Sequence, residues 1–166
     1  NRILIAMGGG QYPDEVIKMI KLITCQPSFY FEIITNDIRL QNLLLHSHNV
    51  KLYYNTHNVV SIYKKCEIAI VSGGVTSYEV ASLNIPMLII PYVDNQISNA
   101  DSWDKNNFAI SFKNPLHFEE ILNKFGLTKL KNMLHIKFEK KSIQIDALGA
   151  KRVKNAIIKT INENEN

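Results

Sequence analysis

Residues 66–100 read CEIAIVSGGVTSYEVASLNIPMLIIPYVDNQISNA, and this stretch decides the fold that we predict for the chain. An apolar run from Ile68 to Val71 breaks at a Ser-Gly-Gly turn, and a second apolar run from Met87 to Ile90 lies between two prolines. The order is strand, glycine turn, helix, strand and polar loop, which is a βαβ unit. In open α/β sheets, ligands bind at the carboxyl ends of such strands.

The helix of this unit begins with two polar residues at an informative spacing. Thr76 and Glu79 match the Thr-x-x-Glu capping box, in which each side chain accepts a hydrogen bond from the backbone N–H of the other residue. Glu79 also has a ligand-binding interpretation, because a carboxylate one turn into a helix can accept hydrogen bonds from both hydroxyl groups of a ribose. The residues alone leave both interpretations open.

The rest of the chain continues the alternation of strands and helices. Apolar, β-branched runs predict further strands at residues 2–7, 29–35, 50–54 and 108–112, with helical periodicity between them. This pattern predicts an α/β fold, a Rossmann-like, doubly wound sheet of six parallel strands. Because no linker or internal repeat divides the sequence, we predict a single domain over residues 1–166.

The composition excludes several classes of protein. No apolar run approaches the roughly 20 residues that cross a bilayer. Cys25 and Cys66 are too few for a disulfide framework and lack metal-ligand spacing, so we expect both to be buried in a reducing, cytoplasmic protein. The histidines also lack metal-ligand spacing, and no nucleophile motif is present. We therefore predict no metal and no cofactor, and the sequence does not identify a catalytic base.

Positive charge is concentrated in the last quarter of the chain. The net charge is +4, and the segment from Lys124 to the end contains ten Lys or Arg residues against four Asp or Glu residues. These basic residues alternate with apolar ones at helical spacing, and no aromatic stacking set accompanies them. This favours a solvated helix face over a membrane contact, and we do not expect nucleic acid as a partner.

Two glycine turns are the strongest sign of a binding site. Gly8-Gly9-Gly10 follows the first predicted strand, and Gly73-Gly74 follows the fourth. We expect each turn to let the backbone approach a ligand and to lead into a helix N-terminus, which favours a phosphate or a diphosphate. A tight turn without a ligand is the alternative. Neither turn has the pattern of a dinucleotide fingerprint or of a P-loop.

A polar cluster, Asp94-Asn95-Gln96, follows the fifth predicted strand. It is either a capped turn that starts the next helix or a set of amides that bind sugar hydroxyls or phosphate oxygens, since an amide both donates and accepts.

The succession of SGGVTSYE, IPMLIIP and DNQ resembles the carboxyl-terminal half of GT-B-fold nucleotide-sugar enzymes. Within them the chain looks most like the UDP-sugar hydrolase of pseudaminic acid biosynthesis and its relatives among the spore-coat polysaccharide biosynthesis proteins. IAMGGG after the first strand, the Asn95-Gln96 pair and IDALGAKRV before the last helix agree with this, and the resemblance covers essentially the whole chain. The glycine–Glu motif alone is shared with other GT-B enzymes, including the lipid-linked muramoyl pentapeptide N-acetylglucosaminyltransferase.

The resemblance implies a UDP-sugar site. The second glycine turn would face the diphosphate, and Glu79 would hold the ribose hydroxyls. The loop from residue 54 to residue 59 would contact uracil, the first glycine turn would border the phosphate and the sugar, and the Asn-Gln pair would reach the sugar side. The implied substrate-binding residues are Gly9, Gly10, Tyr54, Asn58, Ser72, Gly73, Gly74, Thr76, Glu79, Asn95 and Gln96.

Two departures from the family pattern accompany the resemblance. Asn84 stands where the family usually has glycine, and Asn tolerates the left-handed conformation that a helix end needs. In the family, an amino-terminal domain supplies a histidine as the base, and we expect that domain as the partner of this chain, which would be inactive alone. Three functions follow: half of a hydrolase acting on a UDP-2,4-diacetamido-trideoxyhexose, the donor-binding half of a glycosyltransferase, or a non-catalytic nucleotide-sugar-binding module.

Overall fold

Six parallel strands form a single sheet in the computed structural model, which describes residues 1–141, 145, 146 and 148–164. The strands are Arg2–Ala6 (β1), Tyr30–Thr35 (β2), Val50–Tyr54 (β3), Ile68–Val71 (β4), Met87–Ile89 (β5) and Ala109–Ser111 (β6). Their order across the sheet is β3-β2-β1-β4-β5-β6, and every neighbouring pair is parallel. The predicted Rossmann-like α/β class is confirmed.

Helices connect the strands and continue after β6, and most of them cover one or the other face of the sheet. They are Asp14–Thr24 (α1), Ile38–Leu44 (α2), Val59–Tyr63 (α3), Val75–Ser82 (α4), Ile97–Lys105 (α5), Pro115–Phe138 (α6) and Gly149–Asn164 (α7). A 3₁₀ turn, Asp94–Gln96, leads into α5. Helix α6 is kinked at Gly126, whose φ of 73° is left-handed.

The apolar strands are buried on both sides, which is why they read as continuous hydrophobic runs rather than as alternating ones. Ile5 and Phe31 lie in a core under α1 and α6, whereas Ala69 and Met87 lie in a second core under α3, α4 and α5. Cys66 belongs to the second core, as expected.

The expectation is wrong for Cys25. This residue directly follows the last turn of α1, in the loop that leads to β2, and its side chain is exposed.

The strand order creates a topological switch point between β1 and β4. The chain leaves β1 toward β2 on one side and leaves β4 toward β5 on the other, so the two connections diverge and open a crevice at the carboxyl ends. The turns at residues 8–10 and 73–74 both lie at this edge. The fold therefore brings the two predicted glycine turns together.

The end of α4 confirms the role expected for Asn84. Its φ is 60°, the left-handed conformation that glycine commonly supplies at this place.

Within the described part of the chain, none of the helices has the length and apolarity that crossing a membrane requires.

Candidate functional site

The amino end of α4 is open to an anion. Gly74 is the N-cap, no side chain caps the helix, and its first turn contains no acidic residue. The first N–H groups of a helix have no partner within it, and the helix dipole adds positive potential there. This end of α4 therefore suits a phosphate group at the switch point.

The predicted capping box is wrong. Thr76 lies inside the first turn of α4 because Gly74, with extended backbone angles of −86° and −162°, already occupies the N-cap. Glu79 consequently has no capping role, and its carboxylate is available for other contacts.

Gly73 is required by a close approach between two segments. A Cβ atom at this position would overlap the backbone carbonyl oxygen of Gln96, so only glycine lets the start of α5 pack against the turn. The side chain of Gln96 is oriented by its Oε1, which accepts a hydrogen bond from the Tyr92 N–H at 3.1 Å. Its Nε2 lies 3.9 Å from where a Cβ of Gly74 would be. An amide donor thus stands beside the N-terminus of α4.

Side chains from α4 and α5 hold the second glycine turn in place. Ser77 Oγ donates to the carbonyl oxygen of Gly74 at 2.7 Å and accepts from Trp103 Nε1 at 2.9 Å. Asn99 Nδ2 donates to the carbonyl oxygen of Gly73 at 2.5 Å. Sequence reasoning missed these residues, although Asn99 and Trp103 are four residues apart and therefore share one face of α5.

The first glycine turn is held by two tyrosines. Tyr12 Oη donates to the carbonyl oxygen of Gly8 at 2.9 Å, and Tyr92 Oη donates to that of Met7 at 3.0 Å. Burial raises the pKa of Tyr12 to about 12, so its hydroxyl remains a donor at neutral pH. Gly8 and Gly10 have φ values of 101° and 106°, which L-residues rarely adopt.

This turn differs from the expectation in one respect. It does not lead directly into a helix, since α1 begins only at Asp14 and carries Asp14 and Glu15 in its first turn. These carboxylates already complement the dipole of α1. Of α1 and α4, only α4 therefore has an N-terminus that suits an anion.

A cavity of about 190 Å³ lies beside the first glycine turn, against the carboxyl end of β2 and helices α3 and α4. It brings together Gly9, Thr76 and Glu79 of the predicted set with Thr56, which belongs to the loop expected to contact uracil, and with Asn36, which sequence reasoning missed as a site residue. No binding motif surrounds Asn36, so no local signal marked it as a site residue.

The other predicted residues lie around this cavity rather than in its wall. Ser72 is buried beside the first turn, with its Oγ 3.9 Å from where a Cβ of Gly8 would be. Gly10, Tyr54, Asn58 and Asn95 are exposed at the same sheet edge.

Glu79 is held by a tyrosine that the sequence did not single out. Tyr63 Oη donates to Glu79 Oε2 at 3.0 Å, and the tyrosine side chain is 3% exposed. Burial, and then the Glu79 carboxylate, raise the pKa of Tyr63. The hydroxyl therefore stays protonated and keeps donating.

A wider groove of about 990 Å³ lies at the opposite edge, beside the amino ends of β1 and β2. Lys21, Cys25 and His46 line it. It is remote from the switch point, so we place the candidate site at the smaller cavity.

Among the described residues, no group of His, Cys, Asp and Glu side chains could hold a metal ion.

Comparisons with known proteins find similarity in structure only. No protein-family profile matches the sequence, and no curated protein does. UDP-GlcNAc 2-epimerase from Neisseria meningitidis, bound to UDP-GlcNAc, aligns with a TM-score of 0.66 at 17% identity over 98% of this chain and 44% of its own. MurG from Acinetobacter baumannii aligns with a TM-score of 0.64 at 18% identity over 95% of this chain and 52% of its own.

A third similar structure is a glycosyltransferase. The spinosyn rhamnosyltransferase SpnG, complexed with spinosyn aglycone, aligns with a TM-score of 0.59 at 18% identity over 92% of this chain and 45% of its own. The chain thus spans about half the length of the structures that it matches. At these identities the likeness establishes the fold alone, a Rossmann-like fold of the kind found in GT-B enzymes.

Proposed function

We propose that this chain is the UDP-sugar-binding half of a GT-B hydrolase that acts on a UDP-2,4-diacetamido-trideoxyhexose in bacterial surface polysaccharide or nonulosonic acid biosynthesis. The observation that carries the proposal is the uncapped N-terminus of α4, which opens at the switch point beside a cavity lined by Glu79. A nucleoside diphosphate needs both features, an anion site and a nearby acceptor for ribose hydroxyls.

In this proposal the diphosphate lies at the turn formed by Gly73 and Gly74, next to Thr76. The backbone N–H groups of α4 donate to its oxygens, and the amide of Gln96 stands beside the same helix end. Because the bracing side chains of α4 and α5 already hold the turn, little conformational entropy is lost when the ligand binds.

In the same proposal, the ribose and the uracil lie on one side of this turn and the sugar lies on the other. Glu79 accepts from the ribose hydroxyls, and the loop that contains Tyr54 and Asn58 contacts uracil. On the other side, the sugar points toward Gly10 and Asn95, which are exposed at the same edge. The sugar identity rests on the sequence resemblance.

The proposed reaction needs a second domain. In a hydrolase, water attacks the anomeric carbon and UDP leaves, with a base that takes a proton from the water. We place this base in an amino-terminal domain outside the sequence, which agrees with the chain spanning 39–52% of the matched structures. A glycosyltransferase half, in which an acceptor hydroxyl replaces water, is the second candidate because the fold also matches the rhamnosyltransferase SpnG.

Titration calorimetry with UDP tests the proposal. We expect the chain to bind UDP, and we expect Glu79→Ala to weaken binding by about 1–3 kcal/mol, because a charged hydrogen-bonding partner is removed. Glu120→Ala is the control, since Glu120 is an exposed carboxylate on α6. A chain that is folded by circular dichroism but does not bind UDP would exclude both enzyme halves.

A further inference from the structure

We propose that Tyr63 is a positioning residue that fixes the Glu79 carboxylate and thereby makes the site select a ribose over a 2′-deoxyribose. The inference rests on the proposed function, because it assumes that the ligand is a nucleoside diphosphate whose sugar meets Glu79. It adds a residue on α3, outside both glycine turns, to the machinery that chooses the ligand.

The side chains of Tyr63 and Glu79 differ in their conformational freedom. Tyr63 is almost completely buried in the core under α3, α4 and α5, so its ring and hydroxyl have a fixed position. Glu79 is exposed on α4, and a glutamate side chain in water samples many rotamers. The 3.0 Å hydrogen bond from Tyr63 Oη to Glu79 Oε2 transfers the fixed position of the tyrosine to the carboxylate.

The geometry leaves acceptor sites for a ligand. A carboxylate has about four lone-pair sites on its two oxygens, and Tyr63 uses one of those on Oε2. Among the described residues, Glu79 Oε1 accepts no hydrogen bond from a side chain or the backbone. Both Tyr63 and Glu79 line the same cavity, so the remaining acceptors face the space where the ribose would lie.

Selectivity follows from the number of hydroxyls that must be satisfied together. A single hydroxyl can donate a hydrogen bond to a carboxylate in many orientations of that carboxylate. Two vicinal hydroxyls can both donate to it in only a few orientations. Fixing the carboxylate before binding therefore helps a ribose, with its 2′ and 3′ hydroxyls, more than it helps a 2′-deoxyribose, which has only the 3′ hydroxyl. Removing the Tyr63 hydroxyl should therefore weaken the binding of the ribonucleotide more than the binding of the 2′-deoxyribonucleotide.

Tyr63→Phe is the test, because it removes one oxygen and keeps the buried ring. We expect the dissociation constant for UDP to rise about 3- to 10-fold, the usual effect of losing one hydrogen bond. For 2′-deoxy-UDP we expect a change of less than about 2-fold, since one hydroxyl gains little from the fixed orientation. The ratio of the 2′-deoxy-UDP constant to the UDP constant, which measures the preference for ribose, therefore falls, and a purely structural role of Tyr63 would not produce this change.

Tyr53→Phe is the matched control. Tyr53 Oη also donates to a glutamate, Glu32 Oε2, at 2.7 Å, but this pair is not part of the cavity wall. We expect it to leave the ratio of the UDP and 2′-deoxy-UDP constants unchanged. Calorimetry is performed below the melting temperature of each variant, so that a loss of stability is not mistaken for a loss of affinity.

The outcomes separate this inference from the proposed function. Equal losses for UDP and 2′-deoxy-UDP in Tyr63→Phe, or no loss for either, would overturn the role of Tyr63 while wild-type binding of UDP still supports the nucleotide site. A wild-type chain that does not bind UDP would overturn the proposed function itself.

Discussion

Asp37 shows how a single buried carboxylate supports the site without facing a ligand. Its side chain is 1% exposed and accepts from the Tyr12 N–H at 2.8 Å, from the Arg39 N–H at 3.0 Å and from Arg39 Nε at 2.9 Å. Tyr12 in turn donates to the carbonyl oxygen of Gly8. The conformation of the first glycine turn therefore depends on a charge that lies at the start of α2.

Asp37→Asn should destabilise the protein in a pH-dependent way. The hydrogen bonds from Arg39 hold the pKa of Asp37 well below its usual range, so this carboxylate adds stability above its ordinary pKa and loses that contribution as the pH falls toward the lower, folded value. At pH 7 we expect a loss of about 1–3 kcal/mol in the free energy of unfolding. The difference between variant and wild type should shrink as the pH falls from about 5, through the ordinary pKa of about 3.9, toward pH 2. Urea denaturation across this range measures it.

Asp14→Asn is the control for this prediction. Asp14 pairs with the same arginine at 2.9 Å, but its side chain is 79% exposed, so we expect a loss below about 0.5 kcal/mol. Equal losses in the two variants, or a difference that does not depend on pH, would contradict the role given to Asp37.

At the scale of elements, α4 and α5 act together on the second glycine turn. The glycine turn and the helix after it were predicted from the sequence, because a Ser-Gly-Gly break between two apolar runs leaves few other local structures. The start of the helix was assigned wrongly, since the Thr-x-x-Glu spacing does not reveal that Gly74 already caps it. The hydrogen bond from Trp103 to Ser77 spans 26 residues, and no local pattern encodes it.

Ser77→Ala should loosen this pair of helices. Ser77 is fully buried, and its loss leaves the Trp103 indole N–H without its partner, which should cost about 1–3 kcal/mol in the free energy of unfolding. Trp103 is the only tryptophan in the sequence, so its fluorescence reports on this contact directly and its emission should shift. Denaturation followed by this fluorescence measures both effects.

Ser82→Ala is the matched control on the same helix. Ser82 Oγ donates to the carbonyl oxygen of Glu79 at 2.7 Å and is exposed, so we expect less than about 0.5 kcal/mol and an unchanged emission maximum. If Ser77→Ala behaved like this control, the bracing of the glycine turn by α5 would be of no energetic importance.

For the whole molecule, periodicity predicted the class of fold because buried parallel strands must be continuous apolar runs. The order of the strands was not predictable in the same way, since it depends on which helix crosses which face of the sheet. The switch point, and with it the cavity that joins Gly9 to Glu79, appears only when β4 is placed beside β1. Tyr63 was missed for this reason, because its partner is 16 residues away on another helix.

The central strand β4 and the last helix, α7, should differ in their contribution to stability. Ile70 is fully buried in the central strand β4, so Ile70→Ala removes a side chain from the core and should cost about 2–5 kcal/mol. Ile157 belongs to α7 and is 56% exposed, as its apolar neighbours Val153 and Ile161 also are largely exposed. Ile157→Ala should therefore change the free energy of unfolding by no more than about 0.5 kcal/mol.

Urea denaturation of the two variants, with hydrogen exchange of the wild type, checks this difference. Amide protons of β4 should exchange only on global unfolding, whereas those of α7 should exchange through local opening, because few buried apolar contacts hold this helix. If Ile157→Ala cost more than about 1 kcal/mol, α7 would contribute to the cooperative unit, contrary to the exposure of its side chains. Equal protection of α7 and β4 would contradict the prediction in the same way, and the stability of the chain would then extend beyond the sheet and the helices that cover it.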